Sequence, residues 1–570
     1  MHTRQFEGVR SGRWKVESRK WKVESGKLLA TFYFLLSFIA SACVTPASAP
    51  LFPTATPSPI IITVIADGQT QRFALTRPMT VREALLQAGF TIGETDRTEP
   101  APFTRLSDGM TVRLIRVRET FETEQVVVPF ESQVIANEGL PRGERRLLQA
   151  GANGLAELTY RIVFEDGVQV SRSVINRVIL KEPTAEIITV GAQTAFTVVP
   201  ITGTLAYLSG GNAWIMRGDS SRRTPLTTGG DLDGFVFDLS PDGQALLYSR
   251  TFTDTRSPQF DRVFNTLWVI TLTQNVRAPQ PALNLPVSNT LYAEWSPVQT
   301  VSPTIAFSTG EKNPRGPLLW QANNDLWLMS WWTNPRTRQL EFLQTPVVET
   351  NSGGLYGWWG TGYAFALDGQ RIAYARTDSI GLIDLATFQR TELTQFAPFN
   401  SRQEWAWYPT LRWAEGDWLY TVTHGAPLGF ELPEDSPVFD VTALSPGLQL
   451  ELNLVPRAGI FANPAPSPRL ATTEGERPIR IAFLQAIEPN TSPQSRYRLA
   501  IMDRDGSNLR LVFPPDEQPG FEAGAAFSWS PDGRLIAAIY QGNLWLIDPD
   551  SGVSQQLTGD GLTTRVEWGK

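Results

Sequence analysis

Few side chains in this chain could do covalent or acid–base chemistry. There is one cysteine, Cys43, and there are two histidines, His2 and His424. A Ser–His–Asp triad would have to use His424, in Thr423-His424-Gly425, and no Gly-x-Ser-x-Gly elbow offers the serine. His424 stands at a strand end, where a surface position is expected. A zinc site of His and Cys needs more ligands than one of each, and no Gly-Lys-Ser/Thr loop is present to cradle phosphates. The 57 Asp and Glu leave one catalytic chemistry open, carboxylate-pair attack on a glycosidic bond, but no spacing marks a pair. The expectation is no catalytic residue, no metal and no cofactor.

Binding is better provided for. Of 18 tryptophans, 16 lie between Trp214 and Trp568, and residues 43–213 have none. Trp331-Trp332, Trp358-Trp359, Trp405 and Trp407 stand apart from the regular strand pattern described below, close to Gly353-Gly354 and Gly360. Turns or irregular links are expected there. Such rings either cap strand edges or stack on sugar faces.

The elements that must carry these residues differ along the chain. Its 570 residues suit several domains, and 42% hydrophobic with 19% charged residues excludes whole-chain disorder. One cysteine excludes a disulfide scaffold. Residues 1–27 carry a net charge of +5, residues 60–200 one of −2, and the remainder is strongly acidic. Nucleic acid is therefore not an expected partner.

The apolar run Leu28–Ala42 is 15 residues long, short for a membrane span and right for the core of an export signal. It ends in Ile39-Ala40-Ser41-Ala42-Cys43, which resembles the bacterial lipobox, although Ala40 replaces the usual Leu. That resemblance implies lipidation of Cys43, a membrane anchor and an extracytoplasmic location. Residues 43–59 are rich in Pro, Thr and Ser and uncharged, which reads as a flexible tether. The alternative is an ordinary signal peptide or an uncleaved anchor.

Residues 60–118 read as a small α+β unit. Asp67-Gly68 marks a hairpin, Thr80 with Glu83 forms a capping box, and Val81, Ala84, Leu85 and Ala88 give the helix its apolar face. These residues, with Asp96, Pro100 and Asp108-Gly109, resemble a ubiquitin-like domain of resuscitation-promoting factors. Residues 119–192 continue in strands, and Gly143, Gly151, Gly154, Gly167 and Gly191 are expected to supply positive-φ turns. With Gln149-Ala150-Gly151, Lys181-Glu182-Pro183 and Ile187–Gly191, they resemble the G5 domain. The resemblance implies binding of N-acetylglucosamine-containing cell-wall glycan or a spacer role. Tyr160 and Arg161 are the candidate contacts, one of them expected inside by strand alternation.

From residue 201 to 570 a strand recurs, centred on residues 214, 268, 327, 381, 439, 500 and 545. A turn motif precedes several copies, as in Ser240-Pro241-Asp242-Gly243 and Ser530-Pro531-Asp532-Gly533. Strand-only units of this length read as β-propeller blades. Thr564–Trp568 is expected to be the outer strand of a blade whose remainder begins at Thr204, and so to strap the ring shut. The motif resembles TolB-like, WD-repeat-related propellers, with six or seven blades. Trp214, Trp268, Trp327 and Trp545 are then core.

The fold expected is mainly β: a propeller preceded by a small α+β module and a β-rich G5 module. The function expected is a non-catalytic, lipid-anchored envelope protein that binds wall glycan through its G5 region and docks envelope proteins or carbohydrate on its propeller. Two alternatives stay open: a glycan hydrolase or lyase using propeller carboxylates, and a sensor with a ligand in the central channel.

Overall fold

A computed structural model describes residues 59–570, apart from 139, 141, 193–195, 273–281, 299–301, 314–317, 430 and 473–474. The proposed signal, Cys43 and nearly all of the tether lie outside the described residues. Among the described residues no helix is long and apolar enough to cross a membrane.

The chain divides into two compact units. The first comprises the N-terminal part to Arg118, joined by the hairpin tip Phe164–Val168. Its sheet runs Gln69–Leu75, Ile60–Ala66, Thr111–Ile115, Arg97–Glu99 in spatial order, with Ile60–Ala66 parallel to Thr111–Ile115. The helix is Val81–Gln87, and the capping box is present: the Thr80 side chain accepts from Glu83 N while Glu83 accepts from Thr80 N. Val81, Ala84 and Leu85 close over Ile62, Val64 and Val112. The Arg116 guanidinium bridges Asp67 at 2.6 Å and Asp96 at 2.7 Å, holding both carboxyls below their ordinary range.

The second unit begins with the rest of the β-rich module. One sheet orders Val117–Val128, Gly154–Glu165 and Val168–Lys181, and another orders Ser132–Asn137, Glu186–Gly191 and Arg145–Gln149. Every residue of the edge strand Val168–Lys181 is exposed, whereas Gly154, Ala156 and Ile162 of the middle strand are buried. Of the five glycines, only Gly143 and Gly167 take positive φ. Gly151 and Gly154 serve close approach instead: an added Cβ would meet the Phe130 ring at 2.3 Å and Lys181 O at 2.5 Å. The expectation of five positive-φ turns is corrected accordingly.

Residues 200–569 form the propeller. Among the described residues there are seven sheets of at least four strands in a ring. Their innermost strands, blade 1 to blade 7, are Thr563–Gly569, Leu232–Leu239, Thr290–Trp295, Gly362–Phe365, Arg412–Ala414, Ala465–Pro466 and Phe527–Trp529. The expected strap is present, but as the innermost strand rather than the outer one: Thr563–Gly569 pairs with Pro200–Ser209, Leu205 opposite Trp568, and Glu567 faces the channel. Blade number follows from packing as well. Seven buried apolar clusters each join two neighbouring blades, the last joining blade 7 to blade 1. The copy around Phe439 is a genuine blade strand, Phe439–Ser445, buried throughout.

The turn motif has a clear local cause. Ser240 Oγ donates to Asp242 at 2.6 Å and accepts from Ala245 N at 2.8 Å, while Gly243 takes φ 66°. Ser530, Asp532, Leu535 and Gly533 repeat it. The turn joins the first strand of a blade to the second, so the Trp-centred ladder is the third strand. Trp214 stacks on Tyr207 and Trp327 on Phe307 across the second and third strands. The channel is lined by the strand before the motif, not by the ladder.

Candidate functional site

Each innermost strand has one equivalent position, and in blades 1, 2, 3 and 5 its side chain lines the central cavity. The equivalence is fixed by a repeated hydrogen bond, in which the next residue's indole Nε1 donates to the same carbonyl of the preceding blade. Trp295 donates to Asp238 O at 3.2 Å, Trp413 to Ala364 O at 3.3 Å and Trp529 to Ala465 O at 2.9 Å. Ring order therefore runs Glu567, Asp238, Glu294, Ala364, Arg412, Ala465, Ser528. Three carboxylates stand on the consecutive blades 1, 2 and 3, and a guanidinium stands on blade 5.

Glu567, Asp238, Glu294 and Arg412 line a cavity of about 520 Å³. Aromatic rings line it too: Trp359, Trp405, Trp407 and Tyr408 among them, with Phe461 and Tyr363. Trp359, the Trp405–Tyr408 run and Phe461 lie on links that leave the outermost strand of one blade and enter the innermost strand of the next. Such links share one end of the channel. The carboxylates sit near the far ends of their strands. The site is thus an aromatic mouth over an acidic wall.

The electrostatics follow from burial. Desolvation pushes the Asp238 carboxyl well above its ordinary range, helped by repulsion from Glu294 and Glu567. Desolvation also raises Glu294, although the Tyr292 hydroxyl donates to it at 2.6 Å and Phe365 N at 3.0 Å. Glu567 is pushed up to about 7, again by burial first, with Arg412 and Arg565 opposing. Burial and the adjacent Glu294 raise the Tyr292 phenol. Among the described residues Arg412 forms no ion pair or hydrogen bond, and Arg565 Nε donates to Gly234 O at 3.0 Å.

These shifts carry a stability consequence with a definite sign. Glu567 holds its proton in the folded state where the unfolded chain has lost it. Stability therefore falls as pH rises from about 4.5 through about 7. Two and a half pKa units correspond to about 3 kcal/mol at most. Glu567→Gln is expected to stabilise the protein at pH 8 by up to about 3 kcal/mol and by almost nothing at pH 4. Urea unfolding of both forms at the two pH values measures this, and equal stabilisation at both would refute it.

The sequence-predicted residues fall in different places. Trp359, Trp405 and Trp407 meet at the cavity, although Trp407 is mostly core, its Nε1 bound to Ile460 O at 3.1 Å. Trp358 packs edge-on against Trp359. Trp331 and Trp332 are not in an irregular link but in the regular strand Leu326–Thr333. Trp331 is buried between blades 2 and 3 against Trp295, so it cannot contact a ligand; Trp332 is exposed. Neither Tyr160 nor Arg161 is buried: Arg161 pairs with Glu119, and the Arg172 guanidinium covers the Tyr160 ring at 3.6 Å. His424 is a further correction. It is buried, stacked on Phe439, with Nδ1 at 2.7 Å from Ala397 O and Nε2 at 2.8 Å from Ser436 O. A histidine held at both nitrogens by carbonyls cannot serve a serine. Among the described residues no group of three His, Cys, Asp or Glu is placed to hold a metal ion.

The carboxylate wall was missed in sequence, yet it has a signal. Asp238 and Glu294 each stand two residues before a Ser-Pro turn, and Glu567 precedes Trp568 as Glu294 precedes Trp295.

The fold defines a multidomain β-propeller protein with a central cavity. Residues 119–193 match the G5 domain model, and residues 62–102 match the G5-linked-Ubiquitin-like domain. Among solved structures, an IgA1 protease G5 domain is 22% identical, covering 14% of this chain and 94% of that one at TM-score 0.11. A putative TolB from Agrobacterium tumefaciens is 12% identical, covering 56% and 90% at TM-score 0.31. An oligogalacturonate lyase in complex with manganese is 14% identical, covering 65% and 99% at TM-score 0.36. No curated protein matches by sequence. The chain accordingly joins a region that matches the G5 domain model to a seven-bladed β-propeller.

Proposed function

We propose that this protein is exported, lipid-anchored through Cys43 on the outer side of the cell membrane, and works by binding. Its G5 region holds N-acetylglucosamine-containing wall glycan, and its propeller docks a carbohydrate or an envelope protein at the channel mouth. The carrying observation is the cavity of about 520 Å³, where Trp359, Trp405 and Tyr408 offer rings above carboxylates. Flat apolar rings suit sugar faces, and polar groups below them suit hydroxyls. The expected result is that Trp359→Ala with Trp405→Ala weakens saccharide binding on a glycan array at least tenfold, while near-ultraviolet circular dichroism keeps its native form. Unchanged binding by the folded variant would remove the channel from the proposal.

A second reading rests on the carboxylates. Glu567, poised about pH 7, has the protonation of a general acid, and Asp238 or Glu294 would complete a glycosidase pair. Incubating the purified chain with wall polysaccharide and assaying new reducing ends separates the readings. Turnover lost in Glu567→Gln would favour the enzyme.

A further inference from the structure

The cavity has more acceptors than its own donors satisfy. Asp238 Oδ2 accepts from Trp295 N at 2.8 Å, and Glu294 is held by Tyr292 and Phe365 N. Glu567 has no hydrogen-bond partner among the described residues. Asn463, on the link entering blade 6, lines the same cavity, and its Oδ1 is buried without a hydrogen-bond partner. A buried acceptor left unpaired is costly, so a site built this way awaits a donor.

The cavity's cations do not fill the need. Arg412 and Arg565 are exposed enough to be hydrated, and neither forms an ion pair with the three carboxylates. The three carboxylates are half-buried and so less hydrated than the arginines. A cationic ligand would supply a charge partner in place of lost hydration, and the indole and phenol faces at the mouth attract cations as well.

We propose that the channel takes a protonated primary amine carried on a saccharide, its ring against Trp359 and Trp405 and its ammonium against the wall formed by Glu567, Asp238 and Glu294. This rests on the carbohydrate-docking reading above and adds the charge of the sugar it selects. The charged and titratable groups facing that ammonium are Asp238, Glu294, Glu567, Arg412, Arg565, Tyr292, Tyr363 and Tyr408. Since Glu567 ionises about pH 7, binding tightens as pH rises from 6 to 8 while an aliphatic amine stays charged. The ionised fraction of such a group changes about tenfold over that interval, which bounds the expected change in affinity.

The test uses the full chain and three probes differing at one carbon: 6-amino-6-deoxyglucose, glucose and glucuronate. Binding is read by tryptophan fluorescence and by saturation-transfer nuclear magnetic resonance at pH 6 and pH 8. The amino sugar is expected to bind tightest, up to about tenfold tighter at pH 8. In Glu567→Gln that pH dependence shrinks, Asp238 and Glu294 remaining, and binding weakens, with near-ultraviolet circular dichroism reporting an intact fold. Asn463→Leu, which removes the unpaired acceptor, weakens the amino sugar more than glucose. Equal binding of all three probes with no pH dependence overturns this inference and leaves carbohydrate docking standing. Tightest binding of glucuronate overturns it in favour of the arginines. Binding of none overturns both.

Discussion

Deletion of residues 563–570 is expected to abolish cooperative folding of the propeller. Those residues form the innermost strand of blade 1, while the other three strands of that blade come from the opposite end of the domain, about residues 200–225. Without them, Pro200–Ser209 loses a six-residue-pair ladder and becomes an open edge. The cluster between blades 7 and 1 loses Val566 and Trp568, and Thr202 O loses its bond from Trp568 Nε1 at 2.7 Å. Removing one buried tryptophan costs about 3–5 kcal/mol, and the strand removes two core side chains and the ladder together. That exceeds about 5 kcal/mol, the lower end of what a domain has to spare. Trp568→Ala should therefore be a weaker version, folded but lower melting, and the deletion should show no single thermal transition. Circular dichroism melts with limited proteolysis measure both, and a deletion variant melting within a few degrees of the parent would refute the closure argument.

The ring was readable in sequence because its cause is local. Ser-Pro-Asp-Gly fixes a turn through its own side chains, and a Trp-centred strand follows at a set distance, so Ser240 and Ser530 announce blades without tertiary information. The strap at Thr564–Trp568 was legible as half of a blade lacking its partner strands. Blade number was harder. The sequence pattern centres the blade 5 copy on Phe439, but its register puts Thr442, opposite Thr421, where other blades carry Trp, and only packing between blades shows that it counts.

The site was legible in pieces that sequence cannot join. Trp359, Trp405 and Trp407 stood out because they break the ladder. Trp331 stood out for the same reason and is core, since its burial depends on Trp295 of its own blade and on Val236, Leu247 and Leu267 of the neighbouring blade 2. The carboxylates escaped notice because Asp and Glu are common, and only the ring places residues 238, 294 and 567 side by side. His424 was misjudged because a strand end is usually wet; here Phe399, Trp407 and Phe439 surround the ring.

A second large effect is expected where the G5 region meets the propeller. Nothing in the sequence flags Glu138 or Arg223, yet they form a buried ion pair at 3.0 Å, with side chains 14% and 5% exposed. Glu138 also accepts from Gly559 N at 2.9 Å, Arg223 Nε donates to Ser220 O at 3.2 Å and Arg223 Nη2 donates to Leu557 O, while Asn137 Nδ2 donates to Arg223 O at 3.3 Å. Every partner of this pair is itself fixed by a strand or a blade link, so the pair ties Ser132–Asn137 to blades 1 and 7. Truncating one member leaves the other charge buried without its counterion, which costs about 3–5 kcal/mol. Replacing both by apolar residues of similar size removes the charges together and should recover most of that loss. Glu138→Ala and Arg223→Met are therefore each expected to destabilise strongly, and Glu138→Met with Arg223→Met much less than their sum. Urea unfolding of the four forms gives the coupling, and hydrogen exchange at Leu557 and Gly559 reports whether the contact itself has opened. Additive single effects would mean that the pair is no strut. Strong coupling with exchange opening at Gly559 would mean that this pair of charges is a principal tie between Ser132–Asn137 and the propeller.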